Sequence, residues 1–137
     1  MKELTTFMDH WNDSDSKTKQ AFIELYDHLK TLEDTTLDFI ARPKVSYSLR
    51  PRHNNQKNRS LFAMVDVIDD DPDDRWLSVC FYGEMITDPE EAGDLIPEGL
   101  LGEDGYCFDL YEYDRHTIEY LKKRLSQAYE TAKEASY

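Results

Sequence analysis

The chain has no apolar run approaching the length a bilayer-spanning helix needs, and Met1-Lys2-Glu3-Leu4 leads into acidic and polar residues rather than the apolar core of a signal peptide. A cytoplasmic protein with no membrane partner is therefore expected. Only two cysteines occur, Cys80 and Cys107. So few point to a reducing compartment, and buried free thiols are the expectation for both. The four histidines, His10, His28, His53 and His116, include no pair at the spacing of a zinc site on one element. No Gly-x-Ser-x-Gly elbow is present, and neither cysteine has a histidine partner evident in the sequence, so nothing supports nucleophilic catalysis. Glycine is scarce, with five residues, and those at 99, 102 and 105 enclose Glu103 and Asp104 with no Lys-Ser or Lys-Thr after them. They reverse the chain rather than cradle a phosphate. No cofactor is expected.

Positive charge is also in short supply. Sixteen Lys and Arg stand against 29 Asp and Glu, a net charge of −13 that opposes non-specific attraction to nucleic acid or anionic membranes. The deficit is uneven, because Arg42, Lys44, Arg50, Arg52, Lys57 and Arg59 fall in a stretch without any acid. A local basic patch on an acidic protein results.

Against these absences stand nine Tyr, six Phe and two Trp. Large rings supply much of the burial a core requires, and 137 residues can bury roughly two-thirds of their unfolded surface. Residues 1–137 are read as one domain, with no internal repeat or linker. Leu4, Phe7, Met8 and Trp11 have the spacing of a short N-terminal helix. Asn12 to Ser16 can cap a second helix, over residues 17–33, whose stripe is Phe22, Leu25, Tyr26, Leu29 and Leu32. Residues 37–42 and 45–50 then read as strands broken by Pro43, followed by a polar loop from Pro51 to Arg59.

The centre of the chain reads as a β-hairpin. Its arms are Leu61 to Ile68 and Trp76 to Tyr82, joined by Asp69-Asp70-Asp71-Pro72-Asp73-Asp74. Both arms are apolar on both sides, which requires something on the second face of the sheet: residues 84–104, the N-terminal segment, or another subunit. Residues 84–104 read as a long irregular connection, Gly105 to Tyr113 as a last strand, and Asp114 as the cap of a closing helix with Ile118, Leu121, Leu125, Ala128, Tyr129 and Ala132 on its buried stripe. The expected fold is α+β, with about five mainly antiparallel strands and an N-terminal and a C-terminal helix packed on one sheet face. This element order, closing with Leu125-Ser126-Gln127-Ala128-Tyr129-Glu130, resembles the small bacterial YdhG-like α+β domains, many of them of unknown function. The resemblance implies the fold and places no catalytic residue on this chain.

Three functional readings follow. The first is a binding or interaction module without catalysis, which takes a protein partner or, through its basic loop, nucleic acid; a homodimer stays open. Its expected site residues are Tyr47, Arg50, Arg52, Lys57, Arg59 and Phe62, cations beside rings that could hold phosphates and stack a base. The second is a metal-dependent hydrolase or nuclease built on Asp66, Asp109 and Glu112. The third is an acidic mimic or inhibitor that offers residues 69–74 to a basic cleft. Calcium binding by that turn fails on spacing, since Asp74 and Cys80 stand where an EF-hand loop has Gly and Glu, and a solvated hairpin tip is the expectation there.

Overall fold

The computed structural model describes residues 1–134. Three helices, α1 (Lys2–His10), α2 (Thr18–Lys30) and α3 (Arg115–Ala132), accompany six strands: β1 (Thr35–Arg42), β2 (Ser46–His53), β3 (Met64–Ile68), β4 (Trp76–Tyr82), β5 (Asp94–Leu100) and β6 (Glu103–Leu110). A single turn of 3-10 helix, Gly83–Met85, follows β4. The strands form one sheet in the order β1-β2-β3-β4-β6-β5, antiparallel throughout.

The α+β architecture with helices on one face agrees with the sequence, but the sheet has six strands. The extra one, β5, lies within the expected irregular connection. It pairs with β6 through a two-residue turn in which Leu101 and Gly102 both take positive φ, 50° and 86°. Glycine relieves half of the strain that such a hairpin turn imposes. Pro97 is tolerated because β5 is an edge strand whose register breaks between Ile96 and Leu100.

One sheet face is aliphatic and aromatic: Leu49, Val65, Val67, Leu77, Val79 and Phe81 are wholly buried there, against Phe22, Leu25 and Leu29 of α2 and Ile118, Leu121 and Leu125 of α3. The 3.6-residue spacing of those helical residues is what fits them to a sheet. Helix α2 starts in an unexpected way. Its N-cap is Lys17, at φ 62°, and Asp13 folds back so that its carboxylate accepts the Lys19 N–H at 3.1 Å. Asp114 caps α3 as expected, accepting from the Thr117 N–H at 3.3 Å. The N-terminal helix joins this same layer, with Phe7 stacked on Tyr47 at 4.0 Å, and so does not cover the second face.

Two further expectations are corrected. Cys80 and Cys107 are directly opposed on β4 and β6 and form a disulfide instead of remaining free thiols. The acidic turn is not a uniformly solvated tip either. Asp69 is buried and accepts from the Lys44 N–H at 2.7 Å and the Arg75 Nε at 2.6 Å. Arg75 in turn lies over the rings of Phe7, Trp11 and Tyr47, fastening α1 to the hairpin.

Candidate functional site

The helix-free face is set by strand alternation, which sends every second side chain of each strand away from the core. Ladder register aligns these side chains in rows. One row runs Ile40, Ser48, Asp66, Ser78 and Asp109 across five strands. A second runs Arg42, Ser46, Ile68 and Trp76, and Trp76 stacks on Tyr111 at 4.8 Å. A third runs Met64, Cys80, Cys107 and Asp94, so the disulfide paves part of the face.

The face is polar on both flanks and of opposite sign at each. Toward β1, Arg42 donates to the Ser46 hydroxyl at 3.0 Å and Arg50 Nε to the Ser48 hydroxyl at 2.9 Å, and both serines are buried. Toward β5 stand Asp94 and Asp109. Between them, Asp66 has one carboxylate oxygen, Oδ1, that is buried without a hydrogen-bond partner. Burial pushes its pKa above the ordinary aspartate value, and the hydrogen bond of Ser48 and the charges of Arg50 and Arg42 offset only part of that rise. A cleft of about 290 Å³ opens over this region. Its walls include Met64, Ile68, Trp76 and Ile96, its acids are Asp66, Asp94 and Asp109, and no Lys or Arg lines it. Residues 84–104 thus do not lie across the second face as a separate cover: they supply the edge strand β5, whose Asp94 and Ile96 line one side of the cleft.

The residues expected to bind phosphate and base are dispersed. Phe62 is wholly buried in the core, and Tyr47 stacks on Phe7 at 4.0 Å on the helix side of the sheet, on the opposite face from Arg50 and Arg52, so neither ring stands beside those cations. Arg59 lies over the Tyr82 ring and is bound by Glu103 at 2.9 Å and by Glu84. Partial burial works against its charge, but the hydrogen bonds to Glu103 and Glu84 outweigh it and hold the guanidinium pKa above its ordinary value. Arg50 and Arg52 share the open face of β2, which extends to His53 and absorbs the start of the expected loop. Lys57 remains exposed.

Of the alternative metal set, Asp66 and Asp109 do share a row. Ser78 separates them, which puts their backbones two strand spacings apart, about 10 Å. Glu112 lies beyond the end of β6 and is exposed. Among the described residues no group of three or more His, Cys, Asp or Glu side chains is placed to hold a metal ion. The cleft residues that sequence reasoning passed over are Ser78, Trp76, Ile96 and Asp94. Alternation on the central hairpin places Trp76 and Ser78 with Asp66 once the register is known, whereas Asp94 and Ile96 required a strand that the sequence did not suggest.

Among the described residues no helix is long and apolar enough to cross a membrane. No protein-family model, curated protein or solved structure matches the chain.

Proposed function

We propose that the chain is a binding module without catalytic function that receives a protein partner on the open face of its sheet. The observation that carries this reading is the cleft: apolar walls and three carboxylates, with no cation of the chain's own lining it. A Lys or Arg side chain of a partner, flanked by apolar residues, matches that lining. Its charge would meet Asp94 and Asp109, and its stem would lie along Trp76. Arg50 and Arg52, which the basic segment presents on this face together with Arg42, would meet an acid of the same partner.

The basic loop alone supports nucleic-acid binding less well, because Phe62 is buried, Tyr47 stacks on Phe7 on the helix side and Arg59 is already paired. A cytoplasmic location belongs to the same proposal, as does the kinship in element order to YdhG-like domains. Thiol trapping in cells tests the location, since a persistently oxidised Cys80–Cys107 pair points to an oxidising compartment.

The test of the binding reading is a panel of peptides with Lys or Arg between apolar residues, followed by the NMR signal of the Trp76 indole N–H, assigned with Trp76→Phe. Binding peptides shift that signal, and Asp94→Lys with Asp109→Lys weakens them at least about tenfold. A Trp76 signal unmoved by the whole panel, or binding indifferent to the double variant, overturns the reading.

A further inference from the structure

The two edges of the sheet are built differently. Edge strand β5 is guarded in the ways that prevent strand addition: Pro97 removes a donor, Glu98 takes φ 57°, and the register breaks between Ile96 and Leu100. Edge strand β1 has none of these. All eight of its residues pair with β2 in unbroken register, from Thr35 opposite His53 to Arg42 opposite Ser46. No proline or bulge interrupts it, and Ile40, 39% exposed, stands near its end with Val45, 53% exposed, in the following turn. Beside the same strand, an apolar groove of about 340 Å³ opens between α1 and β1, with Phe7, Phe39, Ala41 and Tyr47 among its lining residues. A regular edge strand with free backbone groups is a template for another strand.

The side chains on β1 indicate which strand. We propose that β1 pairs antiparallel with β1 of a second copy of this chain, about a two-fold axis that sets the Ile40 residues of the two copies directly opposite one another. In an antiparallel ladder directly opposed residues share a face, so the register is fixed by the residue at the axis. With Asp38 at the axis, two like charges would be opposed. With Phe39 there, Asp38 would face Ile40. Centring on Ile40 sets Asp38 of each copy opposite Arg42 of the other, twice, with the two isoleucines between them on the open face. On the helix side of the same ladder, Phe39 of each copy then meets Ala41 of the other. That closes the mouth of the groove beside α1, so one register satisfies charge on one face and apolar contact on the other. The two open faces lie on the same side of the joined sheet.

This interface concerns the edge of the sheet and does not rest on the binding proposed for its open face. The test is the association state by sedimentation velocity over a wide range of concentration, with charge reversals at exposed positions. Wild type forms a dimer. Asp38→Arg alone and Arg42→Asp alone each oppose like charges and raise the dimer dissociation constant about tenfold or more, whereas Asp38→Arg with Arg42→Asp restores it. Circular dichroism checks that each variant is folded, and rescue in the double variant separates a lost pair from a damaged strand. A chain that is monomeric at every concentration overturns the proposal. So does a dimer that neither single reversal weakens, which would place the contact elsewhere, or one that the double variant fails to recover.

Discussion

The two faces of the sheet are made from the same strands, residue by residue in alternation, and they have opposite chemistry. On the helix side, Val65, Val67, Leu77, Val79 and Phe81 are buried to the last atom, and shape alone decides what fits. On the open side, Ser48, Asp66, Ser78 and Asp109 form a continuous polar row, with a disulfide in the neighbouring row and charges of opposite sign at its flanks. Stability is concentrated on the first face because burying apolar surface is what favours folding. The second face is held by pairwise bonds and retains one buried oxygen that nothing satisfies. A surface that keeps such a group is not built for maximal stability.

Truncation should break this contrast most plainly. Phe81→Ala removes a wholly buried ring that meets Phe108 edge to face at 5.8 Å, and should cost about 4 kcal/mol in urea unfolding. Met64→Ala, on the open side of β3 and only half-buried, should cost about 1 kcal/mol because less surface returns to water. Equal losses at the two sites would show that the open face packs as tightly as the core, in this chain or against a partner.

The next effect lies on the open face itself. Cys80 and Cys107 are 27 residues apart, and cross-linking a loop of that length restricts the unfolded chain by about 3.5 kcal/mol. Cys80→Ser with Cys107→Ser, or reduction of the wild type, should lower the unfolding free energy by about that amount while leaving the helix-side core intact. A chain equally stable when reduced would mean that the link adds nothing to the β4–β6 pairing already present.

The helix-side face was the legible one. Its signals are periodic and local: the stripes of α2 and α3, the alternation of β2, and the Asp114 cap can each be seen within a dozen residues. The open face depends on register, which no single segment carries. Cys80 and Cys107 each read as strand residues, but that they oppose one another follows only from β4 pairing with β6. Strand β5 was hidden because Pro97 and the nearby glycines argue against a strand, and its partner β6 supplies what its own propensity lacks. Arg59 declares its charge in the sequence, but the convergence of Glu84 and Glu103 on it does not appear there. Within the run of aspartates, Asp69 differs from its neighbours because Ile68 opposes Trp76 on the hairpin, and the next step outward brings Asp69 to Arg75.

The smallest effect is the most discriminating between the faces, because it has the opposite sign. Asp66 has a folded-state pKa above its ordinary value, with burial as the largest cause. Its contribution to stability is therefore whole below the ordinary aspartate range and is lost as pH rises through the raised value. Replacing it by asparagine removes the charge and nearly preserves the shape, so Asp66→Asn should stabilise the protein at neutral pH by about 1 kcal/mol, the scale of removing a buried charge that its neighbours only partly offset. The gain should vanish in acid, where the wild-type carboxyl is protonated. Asp88 titrates in the other sense: burial opposes its charge, but the Tyr120 hydroxyl and the Gly93 and Ala92 N–H groups lower its pKa, so its contribution is lost as pH falls. Both proteins share that loss, and the difference between their unfolding curves isolates Asp66. If the asparagine variant were instead less stable at neutral pH, the attraction of Arg42 and Arg50 would outweigh burial, and the open face would be a completed ion network rather than a surface holding a charge in reserve.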